Sequence, residues 1–244
     1  MSIIILDTET TDINDSKRLI QLAYKNLDTG EFVCEYFKPP VTISFGAMAV
    51  HHIMNEMVAD KASFADSEHR ANLLELLKES ILVAHNAPFD IQVLKNEGLE
   101  VSRNLDTLRI ARHLVNSEQY SLQYLRYFLG LSVSGSAHDA LGDVFVLESL
   151  FEYLKNQVRE KFKLSSEEEI INKLLELSVM PVLMEIVGFG KYKGRSFADI
   201  ATADKSYLQW LFDSETHKPE SDQNVELVYT FQNVELVYTL KHWL

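Results

Sequence analysis

Residues 3–10 read IIILDTET, an apolar run that ends in two carboxylates. The apolar residues at its start predict a buried central strand. Successive side chains of a strand point to opposite faces, so Asp7 and Glu9, two positions apart, lie on the same face. Two carboxylates this close repel each other unless a cation lies between them. The stretch therefore predicts a strand whose polar end either binds a cation or is simply solvated.

More strands and helices are predicted around this one. Residues 19–27 and 32–37 alternate in the manner of strands, and Asp28-Thr29-Gly30 between them is typical of a hairpin turn. Residues 81–84 predict a short buried strand, and a loop-rich stretch that includes AMAVHHI precedes it at 47–53. Strands and helices that share one compact unit indicate an α/β fold. Helices are predicted over 67–80, 106–115, 121–129, about 137–154 and 163–178.

Two later motifs also carry polar residues where a strand gives way to a helix. HNAPFD at 85–90 follows the strand at 81–84, with Asn86 as a candidate cap and Asp90 in the first helical turn. SAHDALGD opens the late helix and contains His138 and Asp143, about 140° apart around a helix. Taken singly, Asp90 is better explained as a carboxylate that stabilises the helix dipole, and His138 as a capping or surface residue.

The bulk composition limits the class of protein. The chain has 244 residues, 46% of them hydrophobic, which is enough for a sizeable core. Its one cysteine, Cys34, excludes an intrachain disulfide. No apolar run reaches the length of a membrane span, and MSIIILDTET lacks the positive start of a signal peptide, so we expect neither. We therefore expect a cytoplasmic protein without a membrane partner. The net charge of −13 argues against a protein that coats nucleic acid, but not against an enzyme that holds a few phosphates through metals.

The chain changes character after about residue 156. Residues 1–180 contain 17 basic and 27 acidic residues, a net charge of −10, whereas residues 181–213 contain four of each. The basic residues of the second segment are concentrated in KYKGR at 191–195. We predict a first domain over 1–156, a helical linker over 157–180 and a small C-terminal module over 181–244.

The tail contains a tandem repeat. QNVELVYT occurs at 223–230 and again at 232–239, a period of nine residues. On one helix, nine residues rotate by about 900°, which leaves the two copies half a turn out of phase. The same apolar side chains of the two copies would then face opposite sides. We predict that only one copy packs well, or that the chain breaks near Phe231.

The motifs in this order resemble the DEDDh exonucleases of the ribonuclease-H-like superfamily. The resemblance rests on D-x-E-T, HNxxFD and H-x4-D, and it extends to AMAVHHI, DTLRIARHL and YSLQYL, so that it covers roughly residues 1–155. FGKYKGRSFADIA, followed by YLQWLF, is similar to the C-terminal module of the exodeoxyribonuclease X family. Relative to that family, the duplicated octamer in the tail is unusual.

The resemblance implies a fold and a mechanism. The fold would be a mixed central sheet flanked by helices, with a small C-terminal module. The activity would be a metal-dependent 3′→5′ exonuclease that releases 5′-nucleoside monophosphates from DNA with two Mg²⁺ or Mn²⁺ ions. Asp7 would bridge the ions, Glu9 and Asp143 would complete one coordination shell, and Asp90 would hold the second ion. His138 would accept the proton of the attacking water.

The same resemblance implies contacts to the terminal nucleotide. Thr10 would line this nucleotide, His51 would approach it from the AMAVHHI loop, and Phe89 would border the base. Plain core packing accounts for Phe89 nearly as well. His52 matches no family position and is expected at the surface.

The basic turn is a further candidate for nucleic-acid contact. Lys191, Lys193 and Arg195 supply positive charge for phosphates, and Tyr192 between them supplies a ring for stacking. A solvated turn is the alternative interpretation.

Three other functions compete with a DNA exonuclease. An exoribonuclease would use the same motifs, because nothing in them distinguishes ribose from deoxyribose. A non-catalytic nucleic-acid-binding module on the same fold is the second, and the intact set of acidic residues argues against it. A proofreading subunit that works only within a polymerase is the third. The expected partner is therefore nucleic acid, DNA 3′ ends with RNA possible, and the sequence predicts no oligomeric state.

Overall fold

The apolar run at the start of the chain forms the central strand of a five-stranded sheet. The computed structural model describes residues 2–131, 140–216 and 227–244. For residues 227–233 it describes the backbone only. The strands are β1 (Ser2–Thr10), β2 (Leu19–Asn26), β3 (Phe32–Tyr36), β4 (Ser80–Ala84) and β5 (Asn104–Asp106), in the sheet order β3-β2-β1-β4-β5.

The sheet is mixed, as predicted. β1 pairs antiparallel with β2, so that Asp7 lies opposite Ala23, and it pairs parallel with β4, so that Ile4 lies opposite Leu82. β3 continues the antiparallel side and β5 continues the parallel side. β1 and β4 thus end at the same edge of the sheet, and this edge carries the polar motifs that follow each of them.

The described residues form eleven α-helices. They are α1 (Phe45–His51), α2 (Asn55–Val58), α3 (Glu68–Glu79), α4 (Ala87–Asn96), α5 (Thr107–Leu114), α6 (Leu122–Phe128), α7 (Ala140–Phe162), α8 (Glu167–Val179), α9 (Phe197–Ala203), α10 (Lys205–Thr216) and α11 (Leu227–Trp243). None of these helices combines the length and apolarity of a membrane span.

Several helices begin and end at the residues that the sequence indicated. The Ser67 side chain caps α3 by accepting from Arg70 N, and Asp106 caps α5 by accepting from Leu108 N. α6 is followed by Gly130, whose φ of +64° suits the residue after a helix. The helix predicted over 137–154 corresponds to α7, which runs on to Phe162, while residues 137–139 lie outside the described residues.

The prediction of a loop through AMAVHHI was wrong, because most of this segment belongs to α1. The Ser44 side chain caps the helix by accepting from Ala47 N. Ala47 and His51, one turn apart, are both buried. His52 then ends the helix in the left-handed conformation, with φ +61°. A helix this short has too few apolar residues to show a periodicity.

The central sheet is covered on both faces. One cluster of buried side chains joins β1 and β2 to α3 and α4, and it includes Ile4, Leu22, Leu73 and Val93. α7 packs against β1 and β2 and buries Val144, Leu147 and Phe151. The packing of α7 on β1 brings the start of α7 to the polar end of the strand.

Residues 157–180, predicted as a linker, form the end of α7 and all of α8. α8 packs on α5 and α7 because one face of it is apolar and buried, including Ile170, Leu174 and Leu177. The chain divides into two compact units, and the division falls between Val179 and Met180. α8 is therefore part of the first unit.

The second unit has its own apolar core. Val187, Phe197, Ile200, Leu208 and Leu240 are all fully buried in one cluster. An isolated bridge pairs Ile186 with Ser196, and the basic turn lies between these two residues. A short 3-10 helix at Gly190–Tyr192 begins this turn.

The duplicated tail forms a continuous helix where it is described. α11 runs through Phe231 without a break, so the alternative prediction of a break near Phe231 is wrong. The second copy packs into the core of the second unit through Leu236 and Thr239. Part of the first copy lies outside the described residues, so the prediction that only one copy packs remains a prediction.

Candidate active site

Three of the five predicted catalytic residues come together at the polar end of β1. Single carboxylate oxygens of Asp7, Glu9 and Asp143 all lie within 4.8 Å of one another, and the three side chains are half-buried. Asp7 and Glu9 share one face of β1, and Asp143 belongs to the first turn of α7. Three carboxylates repel one another, so they would not come together by themselves. The packing of α7 on β1 holds them close to one another.

Asp90 lies beside this group but is held by a different contact. It occupies the first turn of α4 and is only 4% exposed. Thr8 Oγ1 donates a hydrogen bond of 2.8 Å to Asp90 Oδ1. The charge of Asp90 raises the pKa of Asp7, so the two carboxyls are electrostatic neighbours. Thr8 is a site residue that the sequence analysis missed, although it stands between Asp7 and Glu9.

The turn between β4 and α4 is fixed by residues from the next strand and helix. Asn86 adopts a left-handed conformation, with φ +69°, and its N–H donates to Asp106 Oδ1 at 3.0 Å. The His85 ring lies 2.9 Å from Thr107 Oγ1 and 2.7 Å from the Tyr120 carbonyl. Asn86 occupies the capping position as predicted, but its side chain makes no capping bond. The turn that places Asp90 therefore depends on the Asp106 carboxylate.

Burial and mutual repulsion disfavour ionisation of these carboxyls. Burial, and then the charges of Asp90, Glu9 and Asp143, hold the pKa of Asp7 well above its usual range. Burial raises the pKa of Asp90 to about 7, although the hydrogen bond from Thr8 works in the opposite direction. A divalent cation would remove this repulsion. Carboxylate oxygens are ligands that Mg²⁺ and Mn²⁺ prefer, so the donor set fits the metal that the resemblance implied.

Asp143 also has a hydrogen-bond partner that could not be predicted from the sequence. Gln123 Nε2, from α6, donates a short hydrogen bond to Asp143 Oδ1. Gln123 belongs to the YSLQYL motif, one of the segments that carry the family resemblance, and the sequence alone assigns it no role. His138, predicted to accept the proton of the attacking water, lies outside the described residues.

His51 makes contacts within the protein through both ring nitrogens. Its Nδ1 accepts from Ile53 N at 3.0 Å, which leaves Nε2 to donate to the Thr10 carbonyl at 3.2 Å. Burial lowers the pKa of His51, which favours the neutral ring that these contacts require. Thr10 itself is buried, and its hydroxyl donates to the Asp12 carbonyl at 2.7 Å. His51 thus holds the backbone at the end of β1.

Phe89 is half-buried and packs against the core cluster under the sheet. The ammonium of Lys17 lies 4.3 Å from the centroid of its ring. Lys17 is only 4% exposed and interacts electrostatically with Asp15 and Asp90. The sequence analysis missed this lysine because a single basic residue in a polar loop gives no signal of burial.

The basic turn lies in the second unit, with Lys191, Lys193 and Arg195 all exposed. Lys191 Nζ forms an ion pair of 3.2 Å with Asp204. The ammonium of Lys191 is 4.6 Å, and the guanidinium of Arg195 5.5 Å, from the centroid of the Tyr192 ring. Two of the three cations, Lys191 and Arg195, therefore lie against the same aromatic side chain.

Two family models match the chain. The model described as Exonuclease matches residues 4–151, and the model described as Exodeoxyribonuclease X-like C-terminal matches residues 188–215. The DNA polymerase III subunit epsilon of Rickettsia prowazekii (strain Madrid E) is 30% identical over 188 residues, which cover 70% of this chain and 81% of that protein. Exodeoxyribonuclease 10 of Escherichia coli (strain K12) is 29% identical over 224 residues, covering 88% and 93%.

Solved structures share the fold. A structure of Exonuclease X in complex with 5′ overhanging duplex DNA has a TM-score of 0.54 at 23% identity, and covers 72% of this chain and 99% of that one. E. coli Exonuclease I in complex with a dT13 oligonucleotide has a TM-score of 0.57 at 19% identity, covering 66% and 42%. The family match spans the strand, the acidic cluster and the start of α7. The chain therefore belongs to the exonuclease family.

Proposed function

We propose that this protein is a metal-dependent 3′→5′ exonuclease that removes 5′-nucleoside monophosphates from the 3′ ends of DNA. The convergence of Asp7, Glu9 and Asp143 to within 4.8 Å, inside a domain of the exonuclease family, carries this proposal. DNA is favoured over RNA because the similarity to exodeoxyribonuclease 10 extends over both units of the chain. Cys34 is the one cysteine of the chain, so no intrachain disulfide can form, which is consistent with action in the reducing cytoplasm.

The carboxylates are proposed as the metal ligands. Asp7, Glu9 and Asp143 would hold one Mg²⁺ or Mn²⁺, and Asp7 would share a second ion with Asp90. When bound, such ions stabilise negative charge on phosphate oxygens and make water easier to deprotonate. The hydrogen bond from Thr8 keeps the Asp90 carboxylate in one orientation. The hydrogen bond from Gln123 does the same for Asp143.

Three side chains are proposed to act directly on the attacking water or the terminal nucleotide, and a fourth acts indirectly. His138 accepts the proton of the attacking water, as a neutral imidazole can near pH 7. Thr10 and Phe89 border the nucleotide. His51 acts indirectly, because both of its ring nitrogens hold backbone groups and one of these belongs to Thr10.

Lys191, Lys193 and Arg195 are proposed to contact phosphates of the nucleic acid. All three are exposed, and they stand in a segment whose charge is balanced, whereas residues 1–180 carry a net charge of −10. A local positive group is needed for such contacts in an acidic protein.

The test uses DNA and RNA oligomers of one sequence, labelled at the 5′ end, with Mg²⁺, Mn²⁺ or EDTA. We expect stepwise shortening of DNA from the 3′ end with either metal and none with EDTA. Asp7→Asn, which keeps the size of the side chain, should abolish the ladder. Asp28→Asn, at an exposed carboxylate in the hairpin turn, is the matched control and should behave like the wild type.

The outcomes separate the competing functions. Shortening of RNA alone would establish the exoribonuclease alternative. Retention of both oligomers in a gel-shift experiment without shortening of either would establish a non-catalytic nucleic-acid-binding module. Cleavage that persists in Asp7→Asn would show that the acidic cluster is not the active site.

A further inference from the structure

The second unit contains a row of three aromatic side chains that begins at the basic turn. The rings of Tyr192 and Tyr207 meet edge to face at 4.8 Å between centroids, and Tyr207 and Trp210 follow at 5.7 Å. Tyr207 and Trp210 lie one turn apart on α10. The row therefore connects the basic turn to the surface of this helix.

Tyr192 is not available for stacking on a base. Its hydroxyl donates to Asp204 Oδ2 at 2.6 Å, and Tyr207 lies against it. The Lys191 ammonium and the Arg195 guanidinium lie 4.6 and 5.5 Å from the centroid of its ring. The ring therefore positions the cations, and the stacking function predicted for Tyr192 requires another side chain.

Trp210 is the ring at the open end of the row. Its side chain is an indole with no part in the buried cluster of the second unit, and it is 61% exposed. Trp210 is not a single exposed ring, because it continues the aromatic row that starts at the basic turn. An indole presents a broad π-face on which any base can stack.

The basic turn is held in a fixed position next to this row. Gly190 and Gly194 have φ of +61° and +86°, and hydrogen bonds of 2.9 and 2.8 Å join Val187 to Arg195 and Gly194. A Cβ on Gly190 would come within 3.2 Å of the Tyr207 hydroxyl, so the turn lies directly against the aromatic row. The nearby carboxylate of Asp204 is already paired with Lys191.

We propose that Trp210 and the basic turn form a binding site for single-stranded DNA, separate from the catalytic carboxylates. A base stacks on the indole of Trp210, and Lys193 and Arg195 contact the adjoining phosphates. An exposed π-face beside cations is the combination that single-strand binding proteins use, whereas duplex DNA keeps its bases stacked inside the helix. The choice of DNA rests on the proposed function, whereas the existence of the site does not.

The test measures binding of the full chain to oligo(dT) in EDTA, so that cleavage cannot interfere. The chain has two tryptophans, Trp210 and Trp243, and their fluorescence reports stacking directly. We expect oligo(dT) to quench the fluorescence, and Trp210→Ala, which leaves no ring to stack on, to remove the quenching and weaken binding roughly tenfold, as for the loss of one stacked base. Trp243→Phe, at the end of α11, is the matched control and should keep both quenching and affinity.

An abasic oligomer of the same length distinguishes stacking from charge. Wild type and Trp210→Ala should bind it equally, because it retains only sugars and phosphates. Lys193→Gln combined with Arg195→Gln should weaken binding to both oligomers and flatten the salt dependence. Equal affinity of wild type and Trp210→Ala for oligo(dT), or an equal loss on the abasic strand, would overturn the proposal. The catalytic proposal is tested separately by measuring whether the wild type hydrolyses a dinucleotide with Mg²⁺. Failure of that reaction would contradict the proposed function and leave the binding result unaffected.

Discussion

The Asp7 carboxyl makes the metal-free protein sensitive to pH. Its pKa in the folded chain is raised by burial and by Asp90, Glu9 and Asp143, and the pKa of Asp90 is raised to about 7. The folded chain therefore binds more protons than the unfolded chain between the ordinary carboxyl pKa and about pH 7. Because the excess protons are on the folded side, stability falls as the pH rises through this range.

Asp7→Asn should remove much of this repulsion. In EDTA at pH 8 we expect the free energy of unfolding to rise by about 1–3 kcal/mol, which corresponds to a higher Tm by a few degrees for a chain of this size. At pH 4 the gain should be much smaller, since the carboxyls are then largely protonated in the fold. Thermal denaturation at the two pH values measures the difference.

Metal and a control variant complete this experiment. Mn²⁺ should raise the Tm of the wild type and have little effect on Asp7→Asn, because the ligand shared by the ions is lost. Asp28→Asn, which is exposed, should leave the Tm unchanged at either pH. A variant at Asp7 that is less stable than the wild type at pH 8 would contradict the account of repulsion.

His138 is expected to act on the proton of the attacking water and not on the metal. His138→Gln should therefore reduce kcat by about 10²–10⁴, the range for loss of a general base. The affinity for Mn²⁺, measured by calorimetry, should stay within about twofold of the wild type, a change worth less than 1 kcal/mol. His52→Gln, at an exposed residue after α1, is the control. Loss of Mn²⁺ affinity in His138→Gln would show that His138 is a ligand.

The β4–α4 turn is the element whose conformation the active site depends on most directly. Asn86 has φ +69°, a conformation that costs a residue with a Cβ about 1–2 kcal/mol, although Asn tolerates it better than most. Asn86→Ala should therefore be less stable than Asn86→Gly by about 1 kcal/mol, because glycine has no Cβ. Urea unfolding of the two variants measures this difference.

Asn156, in the right-handed helix α7, provides the opposite case. It is exposed, and in a helix interior alanine is more stable than glycine by about 1 kcal/mol. The order of the Ala and Gly variants should therefore reverse between the two positions. The same order at both would show that the conformation of Asn86 stores no strain.

Elements fixed by neighbouring residues could be predicted from the sequence, and those fixed by distant residues could not. Ser67, Asp106 and Gly130 mark helix ends through contacts within a few positions, and the sequence shows them. The hydrogen bond from Asn86 to Asp106 spans 20 positions, and nothing local indicates it. The acidic cluster was predictable because β1 itself aligns two of its carboxylates, whereas the burial of Lys17 depends on the fold of a loop.

At the scale of the whole chain, the change in composition after residue 156 does not mark the boundary between the compact units. The boundary follows Val179, because α8 carries an apolar face that packs on α5 and α7. The charge pattern along a sequence depends mainly on the residues that face the solvent. The boundary between two compact units depends instead on which helices and strands bury their apolar faces against each other. The Ser and Glu residues at the start of 163–178 indicated the beginning of a helix but gave no information about the elements it packs against.

The tandem repeat in the tail allows the same substitution to be compared in identical local sequences. In the second copy Leu236 and Thr239 are buried, and Thr239 Oγ1 accepts a hydrogen bond of 2.8 Å from Met184 N. On the opposite side of α11, Val234 is 48% exposed. The equivalent of Leu236 in the first copy is Leu227, nine residues earlier and half a turn away on a continuous helix.

Leu236→Ala should therefore destabilise the second unit by about 2–4 kcal/mol, the range for a buried leucine, whereas Leu227→Ala should cost less than about 1 kcal/mol. Deletion of residues 223–231 removes one nine-residue unit and should leave the thermal transition close to that of the wild type, because the copy that packs against Met184 is retained. Denaturation of the full chain, followed by the fluorescence of Trp210 and Trp243 in the second unit, measures all three. An equal loss of stability in the two leucine variants would show that both copies are buried, which a single straight helix packed on one face does not permit.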